Sequence, residues 1–185
     1  METKRCVLRH WKIEDAPRLY DLAKDPDIGP RAGWLPHKNV EESKEIIINV
    51  FNCPETYAVV LKETEEIIGC ISLMFEGQAN VQLHDKEAEL GYWLGKAYWG
   101  QGIIPEAAAA LLAYGFQQLG LTRIFCGYYK GNEQSRRVQE KLGFQYQYTR
   151  KDKVVLGAKK DEIVSVLERR VKDESIYCSA WANLL

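Results

Sequence analysis

The stretch Tyr98-Trp99-Gly100-Gln101-Gly102-Ile103-Ile104-Pro105-Glu106-Ala107 decides how the rest of the chain is read. The run Glu89-Leu90-Gly91-Tyr92-Trp93-Leu94 before it has strand character, and Ala107 to Leu119 after it is a helix rich in alanine. Strand, glycine turn and helix, in that order, aim unpaired main-chain N–H groups at an anion. Two known phosphate turns fail on residue identity. In G-x-x-x-x-G-K-[ST], Gly95 and Gly100 are correctly spaced, but Gln101-Gly102 stands where Lys and Ser or Thr are required. In G-x-G-x-x-G, Gly100 and Gly102 fit, and Pro105 takes the place of the third glycine.

Working outward, Lys4 to Trp11 alternates Cys6 and Leu8 with Arg5 and Arg9, which predicts a first strand. Asp15 to Ala23 places Ala16, Leu19, Tyr20, Leu22 and Ala23 on one helical face, with Pro17 in the first turn. Asp25 to Lys38 carries Pro26, Pro30, Pro36, Gly29 and Gly33 and reads as a loop. Val40 to Phe51 is a second amphipathic helix. Thr56 to Lys62 and Ile67 to Phe75 form a hairpin across Glu63-Thr64-Glu65-Glu66. Gly77 to Lys86 is a polar connection, and Glu87 to Leu94 is the next strand. Leu121 to Tyr129 is a strand, and Glu133 to Leu142 is a helix stopped by Gly143. Phe144 to Lys151 and Glu162 to Arg169 read as final strands, a helix being the rival reading for the second. The order β-α-α-β-β-β-α-β-α-β-β is α+β, a mixed central sheet flanked by helices rather than a purely parallel one.

The 185 residues suit one domain spanning 1–185, with 46% hydrophobic and 28% charged residues. A net charge of −1 gives no global field for nucleic acid. Cys6, Cys53, Cys70, Cys126 and Cys178 are odd in number and widely spaced, so free thiols are expected. There is no signal-like N-terminus and no apolar run near about 18 residues, so a cytoplasmic protein with no membrane partner is expected. His10, His37 and His84 are scattered, which supports neither a zinc cluster nor a hydrolase triad; no metal is expected. The tail Asp173 to Leu185, apolar around Ile176, Tyr177 and Trp181, has two placements: on its own domain, or against a second copy in a homodimer.

Four segments, in order, resemble the GNAT superfamily of acyl-CoA-dependent N-acyltransferases, and most closely its RimJ/RimL-like branch of ribosomal-protein alanine acetyltransferases. They are Arg5-Cys6-Val7-Leu8-Arg9 with Glu14-Asp15-Ala16; Ala88 to Leu94; Tyr98 to Gly102 with Glu106-Ala107; and Asn132-Glu133-Gln134-Ser135 running into Glu140-Lys141-Leu142-Gly143-Phe144. The resemblance implies acetyl-CoA as co-substrate and direct transfer to an amine in a ternary complex. The branch implies a protein N-terminal α-amine as acceptor. A small amine (antibiotic, polyamine or amino acid) is the alternative, and a non-catalytic acyl-CoA-binding module is another.

The family's pyrophosphate loop, [QR]-x-x-G-x-[GA], has Ala97 at its first position here. The departure removes a side chain and no main-chain donor. By resemblance, Leu94 pairs its backbone with pantetheine, and Trp99, Gly100, Gln101, Gly102, Ile103 and Ile104 form the phosphate loop. Glu89 is the expected general base, with Glu87 on the same strand face as a weaker substitute. A main-chain N–H at Leu94 or Gly95 is the expected oxyanion donor. Gln139 stands where many superfamily members carry a tyrosine acid. Ser135 matches the branch's serine and would hold the leaving thiolate, while Asn132 would bond the pantetheine amide; both residues also suit a helix start. Trp34, in the Asp25 to Lys38 loop, and Tyr128 are candidate substrate contacts. Lys130, Arg136, Arg137 and Lys141 are candidates for the cofactor's 3′-phosphate or a solvated basic face.

Overall fold

In a computed structural model, described over residues 1–169, seven strands form one mixed sheet in the order β1-β2-β3-β4-β5-β7-β6. They are β1 (Cys6–His10), β2 (Thr56–Leu61), β3 (Ile67–Met74), β4 (Glu87–Leu94), β5 (Arg123–Tyr129), β6 (Gln145–Val155) and β7 (Ala158–Glu168). The helices are α1 (Ala16–Ala23), α2 (Gly29–Ala32), α3 (Val40–Asn49), α4 (Ile103–Gln117) and α5 (Glu133–Leu142). Strands β1 to β4 are antiparallel neighbours, β4 and β5 are parallel, and β5, β7 and β6 are antiparallel again. The mixed α+β sheet flanked by helices is as expected, with one helix more than the sequence predicts. The tail from Asp173 lies outside the described residues.

Three elements differ from the reading above for local reasons. Helix α2 is a single turn inside the proline-rich loop, with Pro30 in its first turn and Gly33 ending it at φ 96°. Helix α4 begins at Ile103 rather than Ala107, because Pro105 fits a first turn, where no N–H is needed. The last two strands are one long hairpin turning at Leu156 (φ 50°) and Gly157 (φ 78°). Positive φ at both central residues is the turn that matches strand twist.

The faces of the sheet follow the period-two alternation of β4. Ala88, Leu90, Tyr92 and Leu94 join the core under α4, with Ile103, Ala107, Leu111, Ile124 and Cys126. Glu87, Glu89, Gly91 and Trp93 point to the opposite face. There α1 and α3 pack on Ala58, Val60 and Cys70, and the 79–83 loop packs Val81 and Leu83 on Phe125 and Val164. Among the described residues no helix is long and apolar enough to cross a membrane.

Candidate active site

Strands β4 and β5 are partners only at Glu87↔Arg123, Ala88↔Ile124 and Glu89↔Phe125. Beyond Glu89 they part, and a wedge opens between Leu90–Leu94 and Cys126–Tyr129. Its β4 edge follows from register. The Gly95 N–H donates to the Ile68 carbonyl at 2.8 Å, which makes Gly69↔Leu94 a non-hydrogen-bonded pair. Leu94 and Tyr92, two residues back, therefore turn their main-chain N–H and C=O away from β3 and into the wedge. The Leu94 carbonyl accepts the Trp99 indole N–H at 2.7 Å, leaving the Leu94 N–H facing the gap. Gly95 is not a free oxyanion donor, because its N–H is spent on Ile68; of the two expected positions, Leu94 alone has one.

At the open end of β4 the glycine turn begins α4. Gly100 (φ 76°) and Gly102 (φ 73°) are both left-handed, which explains glycine at each. A Cβ on Gly100 would meet nothing within 4 Å, so its missing side chain leaves an open cradle. The N–H groups of Gly102, Ile103 and Ile104 open the helix without intrahelical acceptors, Pro105 has none, and Glu106 N–H returns to the Gly102 carbonyl at 3.3 Å. This donor set and the helix dipole fit a pyrophosphate. The Gln101 amide donates to the Ala97 carbonyl at 3.0 Å, so a glutamine side chain braces the loop from within it.

A brace from β1 holds this turn. The Arg5 guanidinium donates to Glu106 Oε2 at 2.6 Å and to the Gln101 carbonyl at 2.9 Å. Glu106 Oε1 accepts from Thr3 Oγ1 at 2.6 Å and from the Arg5 N–H at 2.7 Å. Burial works against the Glu106 charge, but these donors outweigh it and hold the carboxyl below its ordinary range. Its charge at the helix start is thereby cancelled by Arg5. Sequence reasoning quoted Arg5 and Glu106 without giving them a role, since no spacing rule joins residues 101 apart.

Helix α5 starts on the α4 side of the wedge. Asn132 caps it, accepting from the Ser135 N–H at 3.3 Å. The Ser135 hydroxyl lies 2.8 Å from the Tyr92 hydroxyl, which reaches over from β4. Gln139, one turn on, is buried. Arg136 is paired with Glu133 and Glu140, which leaves it less free for a phosphate than its sequence position suggests. Tyr128 shares this face, beside Arg136, Gln139 and Phe144 around a cavity of about 200 Å³.

On the opposite face Glu89 sits at the crotch of the wedge, 3% exposed. Its carboxylate accepts from the Asn80 N–H, and Val81 N–H also faces it. Burial, with the nearby charge of Glu162, outweighs these donors and raises its pKa. Glu162 is itself buried and paired with Arg150 and Lys153. Glu87, the substitute, is ion-paired with Arg123 at 2.9 Å and accepts from the His84 N–H. Trp34 stands edge-on to Trp93, ring centroids 5.9 Å apart, so it shares the Glu89 face. The structure thus brings Glu89 and Trp34 to one side and Asn132, Ser135 and Tyr128 to the other; Tyr129, not Tyr128, faces Trp34's loop, its hydroxyl against Gly33.

Helix α2 closes the wedge mouth over a cavity of about 480 Å³ lined by Asp27, Arg31, Tyr129, Lys130, Asn132 and Lys160, among others. Asp27 is paired with Lys96, the Arg31 guanidinium lies 5.2 Å from the Trp99 ring, and Lys160 donates to the Pro30 carbonyl at 3.1 Å. Cys6, Cys70 and Cys126 are buried free thiols and Cys53 is a half-buried one. Cys178 lies outside the described residues.

Comparison with known proteins gives the family. Residues 5–145 match the family model of the acetyltransferase (GNAT) domain. An uncharacterized N-acetyltransferase, p20, of Bacillus licheniformis is 30% identical over 148 residues, covering 77% of this chain and 80% of that protein. The ribosomal-protein-serine acetyltransferase of Escherichia coli is 36% identical over 86 residues, 46% of this chain and 45% of that one. The crystal structure of a GNAT-family acetyltransferase from Bacillus anthracis superposes with a TM-score of 0.80 at 20% identity, over 91% of this chain and 97% of that one. A wedge edged by free main-chain donors, ending in a glycine cradle at a helix start, is what an acyl-CoA thioester requires, and the chain belongs to the GNAT acetyltransferase family as an acetyl-CoA-dependent N-acetyltransferase.

Proposed function

We propose that the enzyme acetylates the α-amine of a protein N-terminus by direct attack in a ternary complex, as the RimJ/RimL-like branch does. The observation that carries direct transfer is the wedge. It opens to Ser135 and the α4 start on one face and to Glu89 and Trp34 on the other, so thioester and amine meet across the sheet. Cys126 is no acyl carrier, being 1% exposed with its thiol pushed far up by burial and the Glu89 charge.

The chemistry then divides among the residues. Gly102, Ile103 and Ile104 N–H groups bind the pyrophosphate, with Arg5 holding the loop. Leu94 N–H meets the carbonyl oxygen of the thioester, where the pantetheine arm ends, and Asn132 binds the pantetheine amide. The amine nitrogen bonds to the thioester carbon, the carbonyl electron pair moves to oxygen, and the C–S bond breaks as it returns. The amine's proton passes to Glu89 through water, and the thiolate leaves on the Ser135 hydroxyl. A carboxylate with a raised pKa is a better-matched base. It suffices for an α-amine of pKa about 8, whereas a lysine of about 10 needs more help.

The acceptor reading is supported by the relation to the ribosomal-protein-serine enzyme and by the charge at the mouth. Arg31, Lys130 and Lys160 surround the cavity against Asp27, itself paired with Lys96. A polyamine with several positive charges is repelled there more strongly than a peptide carrying one terminal charge. The test is thiol release from acetyl-CoA with peptides of free or blocked N-terminus beside polyamines and aminoglycosides. Turnover on free N-termini alone is expected. Equal turnover on a blocked, lysine-containing peptide, or preference for spermidine, refutes the acceptor.

A further inference from the structure

We infer that Tyr92 is a positioning residue for the leaving group: it donates to the Ser135 hydroxyl oxygen and so aims the serine proton at the departing sulfur. The inference rests on the proposed role of Ser135 and deepens it.

Tyr92 comes from β4, which edges the wedge, and Ser135 from the first turn of α5, 43 residues on. Their hydroxyls are 2.8 Å apart. The Ser135 carbonyl is a second, longer partner for the phenol at 3.3 Å. A serine alone rotates its hydroxyl freely and serves as donor or acceptor. Burial pushes the Tyr92 hydroxyl well above its ordinary range, with the nearby Cys126 adding to the shift. A phenol is a stronger acid than an alcohol, so of the two hydroxyls Tyr92 is the donor and Ser135 the acceptor. With one of its two lone pairs accepting from Tyr92, Ser135 has its own proton free, and the acceptor for it is the sulfur arriving along the Leu94 edge. Chained donors polarise each other, so phenol to serine to sulfur is stronger than serine to sulfur alone.

The chain also explains how a site with Gln139 in place of a tyrosine acid releases thiolate. The phenol is supplied from the strand instead of the helix, at one remove. The Gln139 amide lies within interaction range of the Tyr92 hydroxyl. No proton leaves Tyr92. The C–S bond breaks, sulfur keeps the electron pair, the Ser135 O–H holds the anion, and the thiolate later takes from solvent a proton equivalent to the one lost by the amine.

The test needs no acceptor. Coenzyme A itself is bound to wild type, Tyr92→Phe, Ser135→Ala and the double variant, and its thiol is titrated by ultraviolet difference absorbance of the thiolate. A free thiol titrates near about 8.5. Each single variant should raise the bound thiol's pKa over wild type by about one unit, a tenfold loss of thiolate stabilisation, and the double variant should add no more. Coenzyme A affinity by calorimetry should stay within about twofold, since neither hydroxyl meets the phosphates, and kcat should fall about tenfold with KM unchanged. A shift in Ser135→Ala without one in Tyr92→Phe overturns the Tyr92 role and leaves that of Ser135 standing. No shift in Ser135→Ala removes the role proposed for serine and the inference with it. Additive shifts in the double variant overturn the chain, since Tyr92 would then act on sulfur independently. Because phenylalanine keeps the ring, unfolding of Tyr92→Phe would show the phenol to be structural and also overturn it.

Discussion

Replacing Glu106 separates what the β1 brace contributes to stability from what it contributes to cofactor binding. Both buried neutral donors, Thr3 Oγ1 and the Arg5 N–H, fall on Oε1, and the Arg5 guanidinium alone falls on Oε2. Glu106→Gln can keep Oε1 as an acceptor and loses only the bond to Arg5. The Arg5 side chain is 40% exposed and rehydrates, so the loss is about 1–2 kcal/mol. Glu106→Ala also strands the Arg5 N–H and leaves the Thr3 hydroxyl only its 3.3 Å contact with the Cys6 carbonyl, at roughly 1–3 kcal/mol each, for a total of about 3–8 kcal/mol. At about 2–4 °C per kcal/mol for a chain of this size, the melting temperature drops by about 2–8 °C for glutamine and by 6 °C or more for alanine. Both variants release the Gln101 carbonyl from Arg5, so acetyl-CoA binds more weakly, by about 5–10-fold on the loss of one charge-assisted brace worth roughly 1–1.4 kcal/mol. The pH dependence has a fixed sign. The folded-state pKa of Glu106 lies below its unfolded value of about 4.5, so its contribution is complete above that value and disappears as the pH falls through the lower, folded one. Urea denaturation at pH 7 and at a pH below 4, with calorimetry of acetyl-CoA at pH 7, reads all of this. Alanine and glutamine variants of equal stability, or cofactor affinity unchanged in both, would refute the brace.

Acetyl-CoA at 100 times its Kd should stabilise the fold by about 2.7 kcal/mol, or roughly 5–11 °C by thermal shift; none at millimolar ligand contradicts the cradle. Glu89→Gln keeps an oxygen for the Asn80 and Val81 N–H groups, so it should fold normally and lower kcat by about 10²-fold or more with cofactor affinity unchanged; a rate within twofold of wild type would remove Glu89 as base. The kcat profile should rise with pH through the raised Glu89 pKa, and that limb should vanish in Glu89→Gln. Gly100→Ala meets no neighbour but must hold φ 76°, costing about 1 kcal/mol of strain, so it tests the turn's conformation without a clash. Trp34→Ala should raise the acceptor KM and spare that of acetyl-CoA, read by steady-state kinetics at saturating levels of each.

The candidate cofactor half of the site was legible in sequence as geometry because it is local. Gly100-Gln101-Gly102 and Ile103-Ile104-Pro105 lie on one continuous strand–turn–helix segment, and their chemistry is mostly main-chain. Asn132 and Ser135 were legible as a helix start with the spacing that caps it. The acceptor half was not, because β5, β7 and α2 assemble it from far apart. That Tyr129 rather than Tyr128 faces Trp34 depends on strand parity at β5, which one residue of register reverses. The long final hairpin was hidden by its charge. Asp152, Lys153, Lys159 and Lys160 fall between the two predicted strands, yet they stand on an edge strand and its neighbour, where water solvates one face. The Arg5–Glu106 and Tyr92–Ser135 contacts join segments that no periodicity relates.

One strand does most of the organising. On β4 the odd residues send side chains to the face of α1 and α3, the even ones send side chains beneath α4, and the even ones also present main-chain groups to the wedge. In the proposed reaction Glu89 serves the amine, Tyr92 the sulfur and Leu94 the thioester end of the pantetheine arm because they differ in parity and in distance from the crotch. The parting of β4 and β5 converts this alternation into function, since a closed parallel ladder would spend the Leu94 N–H and seal the two faces from each other. Pairing ends after Glu89, where two buried carboxylates, Glu89 and Glu162, lie on one face near Gly127. A side chain at Gly127 would meet Glu162 Oε1 at 3.1 Å, so glycine there lets the carboxylate lie across β5. Gly127→Ala should thus disturb the Glu89–Glu162 neighbourhood without touching the cofactor cradle. The expected result is a shifted pH profile at unchanged acetyl-CoA affinity; an unshifted profile would mean that Glu162 does not help to set the Glu89 pKa.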